Sequence, residues 1–209
     1  LGFASLLNGL PEKLNAISTE HLEKAVFENI VEELLEMPGS SGHESIIRNH
    51  VMKKLAALTD KITVDDYGNI LAEVTFGRAS RETVLTILLN SHLDVVDEIE
   101  VGREILKCGS VWTSSSGILG ADDRAGVGVI LHTLKQLQQM EFRTPVKVKI
   151  AFTVEEEVGL CGARAVSSEF LEDVQAAFVV DRRGRGDIVT GTYGTDFCDE
   201  LFGAMLALI

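Results

Sequence analysis

Short apolar segments of strand length alternate in this chain with segments of helical periodicity, and acidic and imidazole side chains gather where the apolar segments end. This alternation constrains the fold more than any other feature. Residues 83–90 (TVLTILLN) are β-rich and almost wholly apolar, as in a strand buried on both faces. Residues 146–153 alternate and read as a strand, and 176–180 as another buried strand. Strands at 61–64 and 70–75 are joined by the turn Asp65-Asp66-Tyr67-Gly68. Helices are predicted over 18–36, behind a Ser/Thr cap and stopped by Pro38-Gly39, and over 44–58, 124–140, 164–171 and 195–208. Residues 97–121 read as loop. The expected fold class is α/β: a mostly parallel or mixed central sheet flanked by helices on both faces, in one domain over 1–209.

Charge excludes some partners. The chain carries 19 basic and 32 acidic side chains, a formal net charge of −13, against the basic surface that nucleic acid or anionic lipid requires. No apolar run approaches the ~18–20 residues of a membrane span. The apolar start, LGFASLLNGL, lacks a basic region and a cleavage site, so no signal peptide is expected. The chain does not begin with Met, and its natural N-terminus is expected to be absent or processed. Cys108, Cys161 and Cys198 form no CxxC pair and read as packed or surface thiols of a reducing compartment, hence a cytoplasmic location.

In open α/β sheets ligands bind at the carboxyl ends of strands, and four junctions there carry metal-type side chains. In Ser91-His92-Leu93-Asp94, residues i and i+2 of an extended chain share a side. A ligating imidazole uses a carboxylate such as Asp94 on its other nitrogen. Taken alone, the pattern also fits a polar strand end. Gly120-Ala121-Asp122-Asp123-Arg124-Ala125-Gly126 puts two carboxylates at a helix start, where capping and the helix dipole would also explain them. Alternatively, Asp122 bridges two cations. Thr153-Val154-Glu155-Glu156-Glu157-Val158-Gly159 lines up three carboxylates that repel unless water or a cation relieves them. The segment is either a solvated loop or a metal ligand beside a general base. Asp181, in Val179-Val180-Asp181-Arg182-Arg183-Gly184, ends a strand as a loop residue or as a ligand.

Together SHLD, GADDRAG, TVEEEVG and VVDRRG resemble the di-zinc peptidase superfamily in order and spacing. That superfamily includes peptidase T-like tripeptidases, carboxypeptidase G and aminoacylase-like amidohydrolases, and related zinc aminopeptidases. His92, Asp122, Glu157 and Asp181 stand 30, 35 and 24 residues apart. Pro38-Gly39-Ser40-Ser41-Gly42-His43-Glu44 is similar to the family's turn before its first long helix, and the resemblance covers about residues 20–190. It implies that His92, Asp122 and Asp181 hold one metal ion and that Asp122 and Glu157 hold a second. Asp94 would orient His92, Glu156 would be the general base, and the Asp122–Asp123 peptide would be cis. The implied ions are two divalent metals, zinc first, with cobalt or manganese able to use similar ligands.

The implied reaction is hydrolysis of a small peptide, as by an aminopeptidase or di/tripeptidase, in a protein that could form a homo-oligomer. The alternatives are an amidohydrolase of N-acyl amino acids and an inactive fragment. The family takes one more His ligand from a C-terminal segment, whereas no His follows His132. The catalytic domain is therefore expected to be incomplete at its C-terminus, with any lid or dimerisation domain absent. His132 reads as a helix-face residue, His21 and His50 as surface residues, and His43 as a residue able to approach the cleft. Gly126-Val127-Gly128 reads as close helix packing. Arg182, Arg183 and Arg185 read as a solvated loop or as partners of a substrate carboxylate.

Overall fold

The computed structural model describes residues 12–77, 85–182 and 189. The helix predicted at 195–208, together with Arg183, Arg185 and Cys198, lies outside the described residues. Two helices, α1 (Glu12–Leu35) and α2 (Ser45–Leu55), precede strands β1 (Lys61–Val64), β2 (Ile70–Phe76) and β3 (Leu85–His92). A small hairpin, β4 (Ile105–Cys108) and β5 (Val111–Ser114), leads to α3 (Ala121–Leu137) and β6 (Val146–Thr153). Helices α4 (Cys161–Ala165) and α5 (Ser168–Leu171) and strand β7 (Ala176–Val179) follow.

The central sheet is mixed, in the order β1-β2-β6-β3-β7. β3, β6 and β7 run parallel, while β2 joins β6, and β1 joins β2, in antiparallel fashion. The antiparallel edge follows from a tight turn. Oδ1 of Asp65 accepts the backbone N–H groups of Tyr67, Gly68 and Asn69, which folds β1 back on β2. Strand alternation then divides the core into two layers. Ile70, Ala72, Val74 and Phe76 of β2 pack with Val148, Ile150 and Phe152 of β6 against α1, α2 and α3. Leu71, Leu88, Ala151 and Ala177 face the other way, toward Val166, Val174 and Phe170. Helices thus cover both faces, as expected.

Several boundaries differ from the sequence expectation. α1 runs from Glu12, so Ser18 and Thr19 lie within its span; residues 12–15 (EKLN) contain no helix breaker. The stretch read as loop at 97–121 contains β4 and β5, joined across Gly109 at φ 62°. Four-residue strands with largely exposed side chains leave little hydrophobic signal. The helix expected at 164–171 is two short helices. β7 was expected to be buried, but among the described residues it pairs with β3 alone, and Phe178 on it is 57% exposed.

Gly128 serves close packing, because a Cβ there would press within 2.8 Å of Val31 on α1. His132 stacks edge-on with Phe27 and lies 3.6 Å from Glu23, on a helix face and not among ligands. His50 is half-buried beside Glu33 and is not a plain surface residue. No helix among the described residues is long and apolar enough to cross a membrane.

Candidate metal centre

Parallel pairing aligns the strand ends that carry the polar residues. His92 of β3 stands opposite Thr153 of β6, and Asn90 opposite Val179 of β7. Pairing continues past the strands through Leu93 N–H to the Thr153 carbonyl (2.8 Å) and Val180 N–H to the Asn90 carbonyl (2.9 Å). The residues just beyond, Asp94, the three glutamates and Asp181, therefore share one carboxyl edge.

His92 is 2% exposed. Its Nδ1 lies 3.0 Å from the Asp94 carbonyl and 3.3 Å from Asp94 Oδ1. Both neighbours are acceptors, so Nδ1 carries a proton. Nε2 points the other way, 3.4 Å from Asp122 Oδ1, 3.8 Å from Glu156 Oε2 and 3.9 Å from Asp181 Oδ2. Burial opposes a charge on the ring, but the Asp94 hydrogen bond and the charges of Asp123, Asp94 and Glu156 lift its pKa to about 9.

Asp94 is fully buried. Burial disfavours its ionisation, yet hydrogen bonds from His92, the Glu156 N–H, Ser41 and the Glu157 N–H hold its pKa at about 2. Its carboxylate accepts Ser41 Oγ at 2.7 Å and the N–H groups of Glu156 and Glu157 at 3.0 and 3.1 Å. Asp94 is thus the hub joining the imidazole to the glutamate segment.

The Asp122–Asp123 peptide is cis, as the resemblance implied. Asp122 and Asp123 have non-helical backbone angles, and regular helix begins at Arg124. Asp122 faces the His92 ring, while Asp123 turns inward to accept Ser91 Oγ at 2.5 Å and the Gly126 N–H at 3.2 Å. Burial, reinforced by the charges of Asp181 and Asp122, lifts the Asp123 pKa to about 7 despite the Ser91 bond and the His92 charge.

Glu155 sits in the left-handed region at φ 51°, which costs a side-chain-bearing residue roughly 1–2 kcal/mol. Its N–H donates to Glu44 Oε1 at 3.1 Å, and its carboxylate accepts Tyr67 Oη at 2.7 Å. Burial raises the pKa values of Glu156, Glu157 and Asp181. His92 partly offsets that rise; the charges of Asp181, Glu157 and Asp94 add to it at Glu156, those of Asp122, Asp94 and Asp181 at Glu157, and that of Asp122 at Asp181.

Two sets of potential ligand atoms meet here, each with its members within 4.8 Å of one another: His92, Asp122 and Asp181, and His92, Glu156 and Glu157. Among the described residues, one imidazole stands with several carboxylates, a donor set suited to divalent zinc, manganese or cobalt. The residues fit a metal.

Sequence reasoning did not single out Ser91, Asp123 or Arg124 for these roles. It noted the segment around Ser41 and Glu44 only as a turn. Arg124 is 1% exposed and donates to the carbonyls of Leu34, Met37 and Gly39. His43, considered as a neighbour of the cleft, is exposed.

A mixed α/β sheet with imidazole and carboxylates converging at its carboxyl edge defines a candidate metallohydrolase. Residues 79–191 match the M42 glutamyl aminopeptidase family, and the chain belongs to that family. It is also similar to the uncharacterized protein YqjE of Bacillus subtilis, 27% identical over 176 residues, covering 80% of this chain and 46% of YqjE. A tripeptidase from Staphylococcus aureus shares 27% identity at TM-score 0.64, over 77% of this chain and 44% of its own. Aminopeptidase PepT from Bacillus cereus shares 25% identity at TM-score 0.65, with the same coverage of 77% and 44%. The chain spans less than half the length of these relatives.

Proposed function

We propose that this chain carries the hydrolytic site of a metal-dependent aminopeptidase or di/tripeptidase. The supporting observation is the convergence of His92, Asp122, Glu156, Glu157 and Asp181 at one sheet edge in a member of a peptidase family. His92, Asp122 and Asp181 would hold one ion, and Asp122 and Glu157 would contribute to a second. Zinc is the first choice for this donor set, with cobalt or manganese next. Two divalent ions at such a site supply Lewis acidity and make water a nucleophile at neutral pH.

The chain's own residues do the rest. Asp94 fixes the His92 tautomer and orientation. Glu156, half-buried and with a raised pKa, accepts a proton from the attacking water and returns it to the leaving amine nitrogen. Glu157 serves coordination. The free thiols of Cys108 and Cys161 agree with a cytoplasmic setting.

The test is calorimetric titration of the chain with zinc, paired with assays on unblocked di- and tripeptides, aminoacyl-anilides and N-acetyl amino acids. Zinc binding lost in His92→Ala, with cleavage confined to substrates bearing a free amino terminus, is the expected result. Turnover confined to N-acetyl amino acids would reassign the site to an amidohydrolase. Zinc binding unchanged in His92→Ala would remove the assignment.

A further inference from the structure

The turn between α1 and α2 contributes two side chains to the glutamate segment from more than fifty residues upstream. Glu44 is 4% exposed, and its Oε1 accepts the N–H groups of Gly42 at 2.9 Å and Glu155 at 3.1 Å. Ser41 Oγ donates to Asp94 Oδ2, which also accepts the Glu157 N–H. The backbone N–H groups of Glu155, Glu156 and Glu157 are thus all received by buried carboxylates, the first by Glu44 and the other two by Asp94.

The turn is itself fixed. Ser40 bridges to Val95, and Arg124 binds the carbonyls of Leu34, Met37 and Gly39 that lead into it. Arg124 follows Asp122 and Asp123 in sequence, so the frame joins the helix that carries one ligand to the segment that carries the proposed base. Gly39, at φ 153°, lets the turn pass this guanidinium, since a Cβ there would meet Arg124 Nη2 at 2.9 Å. Without an acceptor for its N–H, nothing on the amide side of Glu155 would hold its left-handed backbone.

We propose that Glu44 and Ser41 are positioning residues that set the Glu155–Glu157 segment for reaction, Glu44 through the Glu155 amide and Ser41 through Asp94. Neither side chain is assigned to metal or substrate. The proposal rests on the hydrolase reading for its effect on turnover, but not for its effect on the segment.

Amide hydrogen exchange and steady-state kinetics on wild type, Glu44→Ala, Glu44→Gln and Ser41→Ala separate the two. In Glu44→Ala the Glu155 amide should exchange about tenfold faster or more, while the amides of Val148 and Ile150 in β6 keep wild-type rates. Turnover should fall about 10–100-fold with KM within about threefold, as for a misplaced group that does not bind substrate. Glu44→Gln keeps an acceptor oxygen and should restore turnover to within about threefold of wild type. Ser41→Ala should speed exchange at Glu156 and Glu157 and lower kcat about 5–30-fold.

Wild-type exchange at Glu155 in Glu44→Ala would overturn the proposal, and so would equal acceleration throughout β6. If Glu44→Ala does not fold, Ser41→Ala decides, and unchanged exchange and kcat there would overturn it. A wild-type chain with neither zinc binding nor turnover would sink the hydrolase reading, while local exchange changes at Glu155–Glu157 would still uphold the positioning role.

Discussion

Arg124 donates its guanidinium to the carbonyl of Leu34 at 2.8 Å, joining two residues 90 positions apart in the chain. Leu34 lies in the last turn of α1, where carbonyls have no partner within the helix. Arg124 therefore closes a helix end from outside, and it binds the carbonyls of Met37 and Gly39 as well. Burial lowers its pKa to about 10, offset by the nearby charges of Asp94 and Glu44, so it remains a cation at neutral pH. One buried cation thus serves both the backbone of the turn and the charge balance beneath the site.

Arg124→Met should remove the donor shared by three backbone carbonyls and one of the buried positive charges near Asp94 and Glu44. The expected loss of stability is about 3–5 kcal/mol, the range for stranding a buried charge, measured by urea unfolding. Arg124→Lys should recover only part of it, because an ammonium lacks the planar fork. A loss below about 1 kcal/mol in Arg124→Met would show that the Met37 N–H on the Leu34 carbonyl and the Val95 N–H on the Gly39 carbonyl suffice without the guanidinium.

The two neighbouring glutamates should separate in mutation. Glu156→Gln is expected to retain zinc affinity and lose turnover by about 10²–10⁴-fold, the usual contribution of a positioned acid–base group. Glu157→Gln should weaken zinc binding in the same titration. Near-normal hydrolysis by Glu156→Gln would mean that the proton travels through another group.

What was legible in the sequence depended on distance along the chain. His92 and Asp94 stood out because an apolar strand stops there and an i, i+2 pair shares a side. Glu155–Glu157 stood out because three carboxylates cannot follow a buried strand without relief. The strands at 146–153 and 85–92 were legible from their apolar content, while the division of the core into two layers was not. Arg124, Asp123 and Glu44 were not, since their partners lie far away in sequence: Leu34 for Arg124, Ser91 for Asp123 and Glu155 for Glu44. A charged side chain buried against backbone carbonyls leaves no periodic trace.

Acid should expose a second network on the opposite layer. Lys149, 5% exposed, and Lys147 both bind the carboxylate of Asp173. Burial disfavours the Asp173 charge, but the hydrogen bonds and charges of the two lysines together hold its pKa at about 2, below the ordinary 3.8. A depressed carboxylate contributes stability above its unfolded pKa and loses it as pH falls through the folded one. The stability gap between wild type and Asp173→Ala should therefore be constant near neutrality and close between about pH 4 and pH 2. Its size should be about 1–2 kcal/mol, below the buried-pair range because Asp173 is half-exposed. Urea unfolding from pH 2 to 7 measures it, and a gap that persists at the lowest pH would assign the effect to packing.

Two glycines in one helix should answer differently to the same substitution. A Cβ at Gly128 would meet a methyl of the buried, β-branched Val31 at 2.8 Å, a contact that a small shift between the helices must relieve, while alanine gains up to about 1 kcal/mol in helix propensity. Gly128→Ala should therefore lie within about 1 kcal/mol of wild type, strain and propensity nearly cancelling. A Cβ at Gly126 would run into the Val180 carbonyl and both carboxylate oxygens of Asp123, closer than any real contact. Those contacts are closer than the one at Gly128 and involve backbone, and Val180 and Asp123 adjoin the ligand candidates Asp181 and Asp122. Gly126→Ala should cost about 1–3 kcal/mol or more and weaken zinc binding, whereas Gly128→Ala should bind zinc as wild type does. Thermal melts and zinc titrations of the pair check this. Equal zinc affinity in both variants, with Gly126→Ala folded, would show that Asp122 and Asp181 hold their places independently of the helix start.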